Sequence, residues 1–211
     1  MNIINFKKQL KKIITIIALI FLFKTSVVAE EVEKFEIEGI SVSDSLLKFY
    51  NNSQIKKFLK ADYTFFYKNS NYATIGIYNQ TQDEIVLEKY GGLGIIINTT
   101  DKNYKILSIA GQDYSFKDYN ECISNQKEIS QDIKKILNID FNEDTYSNQE
   151  YISGGVVAGK ASSIDFNFND GSTARVICYE LNDDASKSAN WKVKLEIVLN
   201  SKKINKFIQN R

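Results

Sequence analysis

The chain contains no histidine and no proline, and its 211 residues include only two cysteines and one tryptophan. Without histidine there is no Ser-His-Asp triad, no Cys-His nucleophile pair, no imidazole base and no histidine metal ligand. These groups are the commonest means of catalysis near neutral pH. The composition therefore favours a protein that is not an enzyme.

Residues 1–29 have the pattern of a secretory signal peptide. Four lysines stand between positions 7 and 12, and an apolar run covers residues 13–23. That run has signal-peptide length and is short for a membrane span. Small residues near Ala29 predict cleavage between Ala29 and Glu30. We expect a periplasmic or secreted protein with no stable membrane span once the signal is removed.

Residues 30–211 are mildly acidic. The chain has 27 basic and 26 acidic residues, and the first 29 hold five of the lysines and no acid, which leaves 22 basic against 26 acidic groups. This balance gives no electrostatic footprint for nucleic acid. The length suits a single globular domain over residues 30–211, since no linker, repeat or charge block divides it.

Hydrophobic periodicity predicts an α+β fold. Runs rich in β-branched and aromatic residues between positions 63 and 111, among them residues 83–90, predict an antiparallel β-meander. A long helix over residues 118–138 is expected to pack on one face of that sheet, with Ile136 and Leu137 among its core-facing residues. Short N- and C-terminal helices are expected to begin near Ser41 and Ser201. Residues 141–155 are polar and predict an exposed loop.

Residues 162–181 predict a β-hairpin. A three-residue loop Asn169-Asp170-Gly171 with a left-handed Gly171 directs two apolar sets to one face. A two-residue Asp-Gly loop would instead place the apolar residues of the first strand beside Thr173 and Arg175. Burial therefore favours the register of the three-residue loop. The apolar residues concerned are Ile164, Phe166, Phe168, Ala174, Val176 and Cys178. The next strand should bury Val193, Leu195, Ile197 and Leu199.

The two cysteines predict a disulfide. Cys122 falls on the apolar face of the long helix and Cys178 on the inner face of a strand. In an exported chain, such a pair favours a bond worth about 3–4 kcal/mol, chiefly because it restricts the unfolded chain. The alternative is two buried thiols that never meet. A redox-active pair is disfavoured because there is no C-x-x-C motif.

Two short motifs imitate cofactor sites. Residues 154–161 have the spacing of a phosphate-binding loop, but Ala161 replaces the required hydroxyl and a strand pattern follows. Residues 165–171 resemble the start of a calcium loop, but the glycine comes one position late and Val176 occupies the distal glutamate position. We therefore predict no cofactor and no metal.

Catalytic candidates without histidine are weak. Ser45 with Lys48 and Ser124 with Lys127 satisfy S-x-x-K, but no K-T-G motif follows. A pair of carboxylates can also hydrolyse glycosides. Candidate carboxylates are Glu180, Asp183 and Asp184. Solvated surface charge is the simpler interpretation of these three in a chain with 26 acids.

Aromatic residues are concentrated in the predicted meander. They form either a platform for a sugar or peptide, or simply part of the core. The residues concerned are Tyr63, Phe65, Tyr67, Tyr72 and Tyr78.

Three segments resemble a family of small exported proteins from AT-rich marine bacteria. They are FEIEGISVSDSLLKFY, YNECISNQKEI and FNFNDGSTARVICYE. The helix cysteine and the ICYE cysteine are the most specific elements, so the resemblance implies that Cys122 and Cys178 are a recurring pair. The family has no assigned activity, and the resemblance therefore implies no catalytic or ligand-binding residue.

The predicted function is an exported, non-enzymatic binding or envelope-associated interaction domain, whose partner is an unknown ligand or another exported protein. One alternative is a hydrolase that uses carboxylates or a Ser-Lys pair. The other is an inhibitor-like module that binds another exported protein.

Export and oxidation predict a specific mass for protein secreted by an expression host. The chain should begin at Glu30 and weigh about 2 Da less than its reduced form, because one disulfide removes two hydrogens. Intact mass spectrometry before and after reduction measures both. A full-length or unoxidised chain contradicts the prediction.

Overall fold

The computed structural model describes residues 30–79, 87–136 and 140–210. The predicted signal peptide with Ala29, the first half of a predicted strand at 83–90 and the predicted core residue Leu137 lie outside this part of the chain. Residues 87–90 are irregular, so the second half of that predicted strand is wrong. Within the described residues, no helix is both long and apolar enough to cross a membrane.

The fold is α+β and is built on an eight-stranded antiparallel sheet, which confirms the predicted class. Strand order is β3-β4-β5-β6-β10-β9-β8-β7, and β1 pairs with β2 in a separate small sheet. The strands are β1 (Glu36–Ile37), β2 (Ile40–Ser41), β3 (Phe65–Phe66), β4 (Tyr72–Tyr78), β5 (Gly92–Asn98), β6 (Ile106–Asp113), β7 (Phe141–Ser153), β8 (Val156–Phe168), β9 (Thr173–Leu181) and β10 (Val193–Asn200).

The described residues contain four α-helices and two 3₁₀ turns. The helices are α1 (Asn52–Phe58), α2 (Tyr119–Ile136), α3 (Asp183–Ala189) and α4 (Lys202–Gln209). The helix predicted to start at Ser41 is wrong, because Ser41 belongs to β2 and its N–H donates to Asp44 Oδ2 in a turn. Helix α1 begins later, where Asn51 and Gln54 form a capping box.

The predicted hairpin is confirmed. Gly171 has φ +90°, and the Phe168 N–H donates to the Ser172 carbonyl at 3.1 Å across the three-residue loop. Ile164 lies opposite Val176, as burial of the apolar residues requires. Strand β10 also buries Val193, Leu195 and Leu199 and half-buries Ile197, as predicted.

Residues 141–155 are not a loop, so that prediction is wrong. They form strand β7 and the Gly154-Gly155 turn, in which both glycines have positive φ. Strand β7 lies at the edge of the sheet and both of its faces are almost wholly exposed. A strand in this position needs no apolar alternation, which is why its sequence looks like a loop.

The disulfide between Cys122 and Cys178 is confirmed and links α2 to β9, with the two Cα atoms 6.0 Å apart. Helix α2 contacts β8, β9 and β10. Its Gln126 is buried, and Nε2 donates to the Ser162 carbonyl at 2.8 Å and the Val176 carbonyl at 2.7 Å. Ile136 was predicted to face the core but is 70% exposed, so the buried face of the helix ends at Ile133.

Removing the disulfide should destabilise the protein by about 4 kcal/mol, because the bond closes a loop with a sequence separation of 56. Urea unfolding of the oxidised and reduced protein measures the difference. Cys122→Ala with Cys178→Ala provides a variant that reductant does not affect. Equal stability of the oxidised and reduced protein would contradict a structural role for the bond.

Asp170 ties the β8–β9 turn to the N-terminal segment. Its carboxylate accepts from the Glu31 N–H at 2.6 Å and from the Ser172 N–H at 2.7 Å. Burial alone would raise its pKa, but these bonds, the Ser172 hydroxyl and the charge of Lys202 outweigh burial and lower the pKa below the ordinary 3.8.

Asp170→Asn should therefore lower the stability near pH 7 by about 1 kcal/mol, after allowance for solvent screening. Since the folded-state pKa is lowered, the stabilisation is present above the unfolded-state pKa and is lost as the pH falls through the folded-state value. Urea unfolding of the unmodified protein and of the variant, near pH 7 and at about pH 2.5, tests this prediction. A difference that is equal at both pH values would show that the charge is not responsible.

Candidate functional site

The two faces of the large sheet carry different chemistry. Cys178 and Val176 mark the face that bears the disulfide, the disulfide face. Tyr179 and Lys194, which lie opposite each other in neighbouring strands, mark the other, the aromatic face. A cross-strand row on the aromatic face contains Tyr78, Gly92, Gln112, Glu196, Ile177 and Ser163. Side-chain alternation along each strand produces this separation.

A cleft of about 630 Å³ lies where strands β4 and β6 end and β10 begins. Four aromatic residues and several polar residues line it. The aromatic residues are Tyr78, Tyr90, Tyr114 and Trp191. The polar residues include Asn79, Asp113, Ser115 and Asn190. Its size and mixed lining are typical of a small-molecule site.

Glycines let the Tyr78 ring lie directly on the sheet. A Cβ atom added to Gly92 would come within 2.6 Å of the Tyr78 ring, and one added to Gly76 within 2.7 Å. Any larger residue at either position would displace the ring. Two backbone sites without side chains thus provide a flat bed for an aromatic group beside the cleft.

One wall of the cleft is held by a single carboxylate. Glu38 accepts hydrogen bonds from the backbone N–H groups of Glu88, Lys89 and Tyr90 at 3.1, 2.7 and 3.1 Å. The Asn79 side chain accepts from the Leu87 N–H at 2.7 Å and donates to its carbonyl. These hydrogen bonds hold residues 87–90 in place in the absence of ligand.

An almost buried ion pair lies under the aromatic residues. The Lys194 and Glu196 side chains are 11% and 15% exposed and form a direct salt bridge. The Lys194 ammonium also lies 4.5 Å from the centre of the Tyr179 ring and 5.2 Å from that of Trp191. Glu196 Oε2 accepts from Gln112 Nε2 at 3.4 Å. Pairing and ring contacts compensate a charge that would otherwise be costly to bury.

The cleft tyrosines are kept in their neutral form. Burial raises the pKa of Tyr114 well above the ordinary 10.0, and the nearby Tyr78 and Glu196 add to the effect. Burial also raises the pKa of Tyr78, Tyr90 and Tyr179. The Tyr114 hydroxyl donates to Gln112 Oε1 at 2.6 Å. At neutral pH these phenols are uncharged hydrogen-bonding groups.

The predicted aromatic platform is split by the fold. Tyr78 lines the cleft, and the Tyr63 ring packs edge-on against it at 5.8 Å. Tyr67 and Tyr72 instead contact Phe207 of α4, in a small second core cluster. Phe65 is 59% exposed and its ring contacts Tyr67. Of the five residues, Tyr78 thus lines the cleft, and Tyr67 and Tyr72 pack in the core cluster.

The Ser-Lys candidates do not form dyads in the described structure. Ser45 caps a 3₁₀ turn, accepting from the Leu47 N–H, and its hydroxyl donates to the Asn103 carbonyl at 2.6 Å. Lys48 pairs with Asp44. The second pair, Ser124 and Lys127, is exposed on α2.

The three candidate carboxylates lie near the surface. Glu180 pairs with Lys160 at 2.9 Å. Asp183 pairs with Lys192, whose hydrogen bond and charge lower the pKa of the Asp183 carboxyl. The Asp184 side chain is fully exposed.

The residues of the calcium-like motif are engaged in the hairpin. Asp165 forms an ion pair with Arg175 at 3.0 Å, and Asn167 donates to Asp144 at 2.9 Å. Among the described residues, no group of three or more Cys, Asp or Glu side chains is arranged to hold a metal ion.

Sequence reasoning missed the cleft residues Asp113, Tyr114 and Trp191, and Lys194, whose ammonium lies beside Trp191. They come from β6, the segment after it, and the start of β10, which are distant in sequence. One signal was present: Trp191 is the single tryptophan and stands just before a strand. No such signal marked Lys194, because its position in an alternating strand predicts an exposed side chain.

Comparison with protein-family models, curated proteins and solved structures finds no match to this chain. The function proposed below is therefore based on the geometry of the cleft.

Buried phenols predict a delayed alkaline titration. Five of the twelve tyrosines should ionise only above the ordinary value of 10.0: Tyr50, Tyr78, Tyr90, Tyr114 and Tyr179. Their folded-state pKa is raised, so the stability they contribute is present below pH 10 (about the unfolded-state value) and is lost as the pH rises through the folded-state value.

Tyrosinate absorbance recorded together with circular dichroism measures this titration. We expect the delayed phenols to ionise as the protein unfolds, and Tyr114→Phe to remove one of them. Ionisation of all twelve tyrosines near pH 10 in a protein that is still folded would contradict the burial of these side chains.

Proposed function

We propose that the protein is a non-enzymatic binding module whose cleft takes a carbohydrate. The observation that carries this proposal is the cleft lining, which combines four aromatic rings with hydrogen-bonding groups. A sugar ring has an apolar face of C–H groups and an edge of hydroxyls. Aromatic faces attract the first, and amide, carboxylate and hydroxyl groups bind the second.

The preformed shape of the cleft supports the same proposal. The Tyr78 ring lies on Gly76 and Gly92, and Glu38 holds the backbone of residues 88–90, which also line the cleft. Uncharged phenols provide donors and acceptors without a net charge. A neutral polyhydroxylated ligand fits such a site better than a strongly charged one, since the charged side chains that line the cleft are of both signs: Glu88, Lys89 and Asp113.

The position of the candidate catalytic residues supports a role in binding. Ser45 and Lys48 make separate contacts, and Glu180 and Asp183 are in ion pairs near the surface. A hydrolase that acts through these residues is therefore the weaker alternative.

We also propose that the module is exported and that α2 covers the disulfide face, leaving for ligand the part of the aromatic face that α4 does not cover. The disulfide fits an oxidising compartment, and residues 1–29 have the signal-peptide pattern. The buried side chains of α2 support the covering role. Membership of the family of exported marine bacterial proteins belongs to the same proposal and rests on the segments that carry the resemblance.

A second candidate function is an inhibitor-like module that binds an exported protein. The end of the β7–β8 hairpin favours it, because Ile152, Val156 and Val157 are 61%, 66% and 50% exposed. Neighbouring exposed apolar side chains of this kind often mark interaction surfaces.

Isothermal titration calorimetry with soluble oligosaccharides derived from cellulose, laminarin, xylan and chitin tests the carbohydrate proposal. We expect at least one series to bind. Trp191→Ala and Asp113→Asn should each weaken that binding about tenfold, the effect of losing a central contact. Since Trp191 is the single tryptophan, its fluorescence should also change on binding to the unmodified protein.

Phe65→Ala is the matched control, because it removes an exposed ring on β3 that does not line the cleft. Its binding should equal that of the unmodified protein. Failure of all four series to bind, or a loss of binding in Phe65→Ala as large as in Trp191→Ala, would contradict the proposal.

A further inference from the structure

The cleft does not end at Trp191. Trp191 and Ala189 also line a second depression of about 320 Å³, which lies between α3 and the end of the β7–β8 hairpin. Tyr151 stands at its far side. The two depressions therefore adjoin along one tryptophan side chain.

Aromatic rings line both depressions. Tyr114 and Trp191 line the cleft, with ring centres 6.0 Å apart, and Trp191 and Tyr151 line the second depression. Tyr179 lines neither depression; its ring centre lies 4.9 Å from that of Tyr151, and the Lys194 ammonium lies 4.5 Å from Tyr179 and 5.2 Å from Trp191. Tyr114, Trp191 and Tyr151 are half-buried, so each keeps some accessible surface. We call these three rings the aromatic row.

The second depression is lined by uncharged side chains. Helix α3 contributes only small side chains to the second depression, namely Ala185, Ser188 and Ala189. Glu196 compensates the charge of Lys194 below the rings. A ligand that passes Trp191 therefore meets neither a bulky side chain from α3 nor an uncompensated charge.

We propose that the two depressions form one groove that binds a neutral oligosaccharide chain, with successive sugar units against successive rings of the aromatic row. This inference rests on the proposed carbohydrate function and specifies the ligand as a chain rather than a single sugar. A sugar ring is similar in size to a phenol ring. Neighbouring rings of the aromatic row can therefore each contact one unit of a chain of linked sugars.

The test compares oligosaccharides of different length within each of the four series, so it does not depend on which sugar binds. Calorimetric titrations with the monomer, dimer, tetramer and hexamer of each series should show an affinity that rises at least tenfold from dimer to tetramer. Tyr151→Ala should remove most of that gain and leave dimer binding unchanged, because Tyr151 lines only the second depression.

A second variant protects the test from a folding defect. Ala185→Leu narrows the second depression from the side of α3 and retains a residue with high helix propensity. It should also weaken tetramer binding while sparing the dimer, and Phe65→Ala should change neither. Thermal unfolding of each variant establishes that it is folded.

The outcomes separate the two proposals. If the dimer binds as tightly as the hexamer and both groove variants behave like the unmodified protein, the extended groove is overturned while the carbohydrate site stands. If no oligosaccharide of any length binds, both proposals fail. Tight binding of extended peptides in place of glycans would overturn both as well.

Discussion

The arrangement of the aromatic face depends on one almost buried charge, the ammonium group of Lys194. It has lost most of its contact with water and is compensated by Glu196 and by the faces of two aromatic rings. Removing either kind of partner would leave a poorly solvated charge, which is far more costly than losing a surface pair. Contact with the Lys194 ammonium therefore stabilises the positions of both Trp191 and Tyr179, in addition to the packing of the two rings.

Alternation along the strands turns this local requirement into a two-sided molecule. The disulfide face places Cys178 against α2, where the bond to Cys122 restricts the unfolded chain. The aromatic face of the same strand carries Tyr179 and its neighbours. One face can thus provide stability while the other carries the proposed ligand site, since successive side chains of a strand point to opposite faces.

Rigidity links the fold to the proposed function. A binding site that is already in place loses less conformational entropy when ligand arrives. Gly76 and Gly92 provide a flat bed for the Tyr78 ring, and Glu38 fixes three consecutive N–H groups of the segment that also lines the cleft. These contacts place ring faces and hydrogen-bonding groups, which the proposed recognition of a sugar requires.

Much of the fold could be predicted from local patterns. The register of the β8–β9 hairpin followed from Gly171 and from burial of neighbouring apolar residues, and the disulfide followed from two cysteines on apolar faces. Each of these features depends on short stretches whose period or turn chemistry reports their environment directly. They could be predicted because the physical cause and the signal lie in the same few residues.

The sequence by itself determined the α+β class, the hairpin, the alternating strand β10 and the pairing of the cysteines. Only the tertiary structure decided that polar residues 141–153 form an edge strand, that Ile136 is exposed and that Gln126 is buried against strand carbonyls. The cleft belongs to this second group. Its residues come from segments far apart in the chain, and their proximity depends on β10 lying beside β6, which no local pattern in either strand specifies.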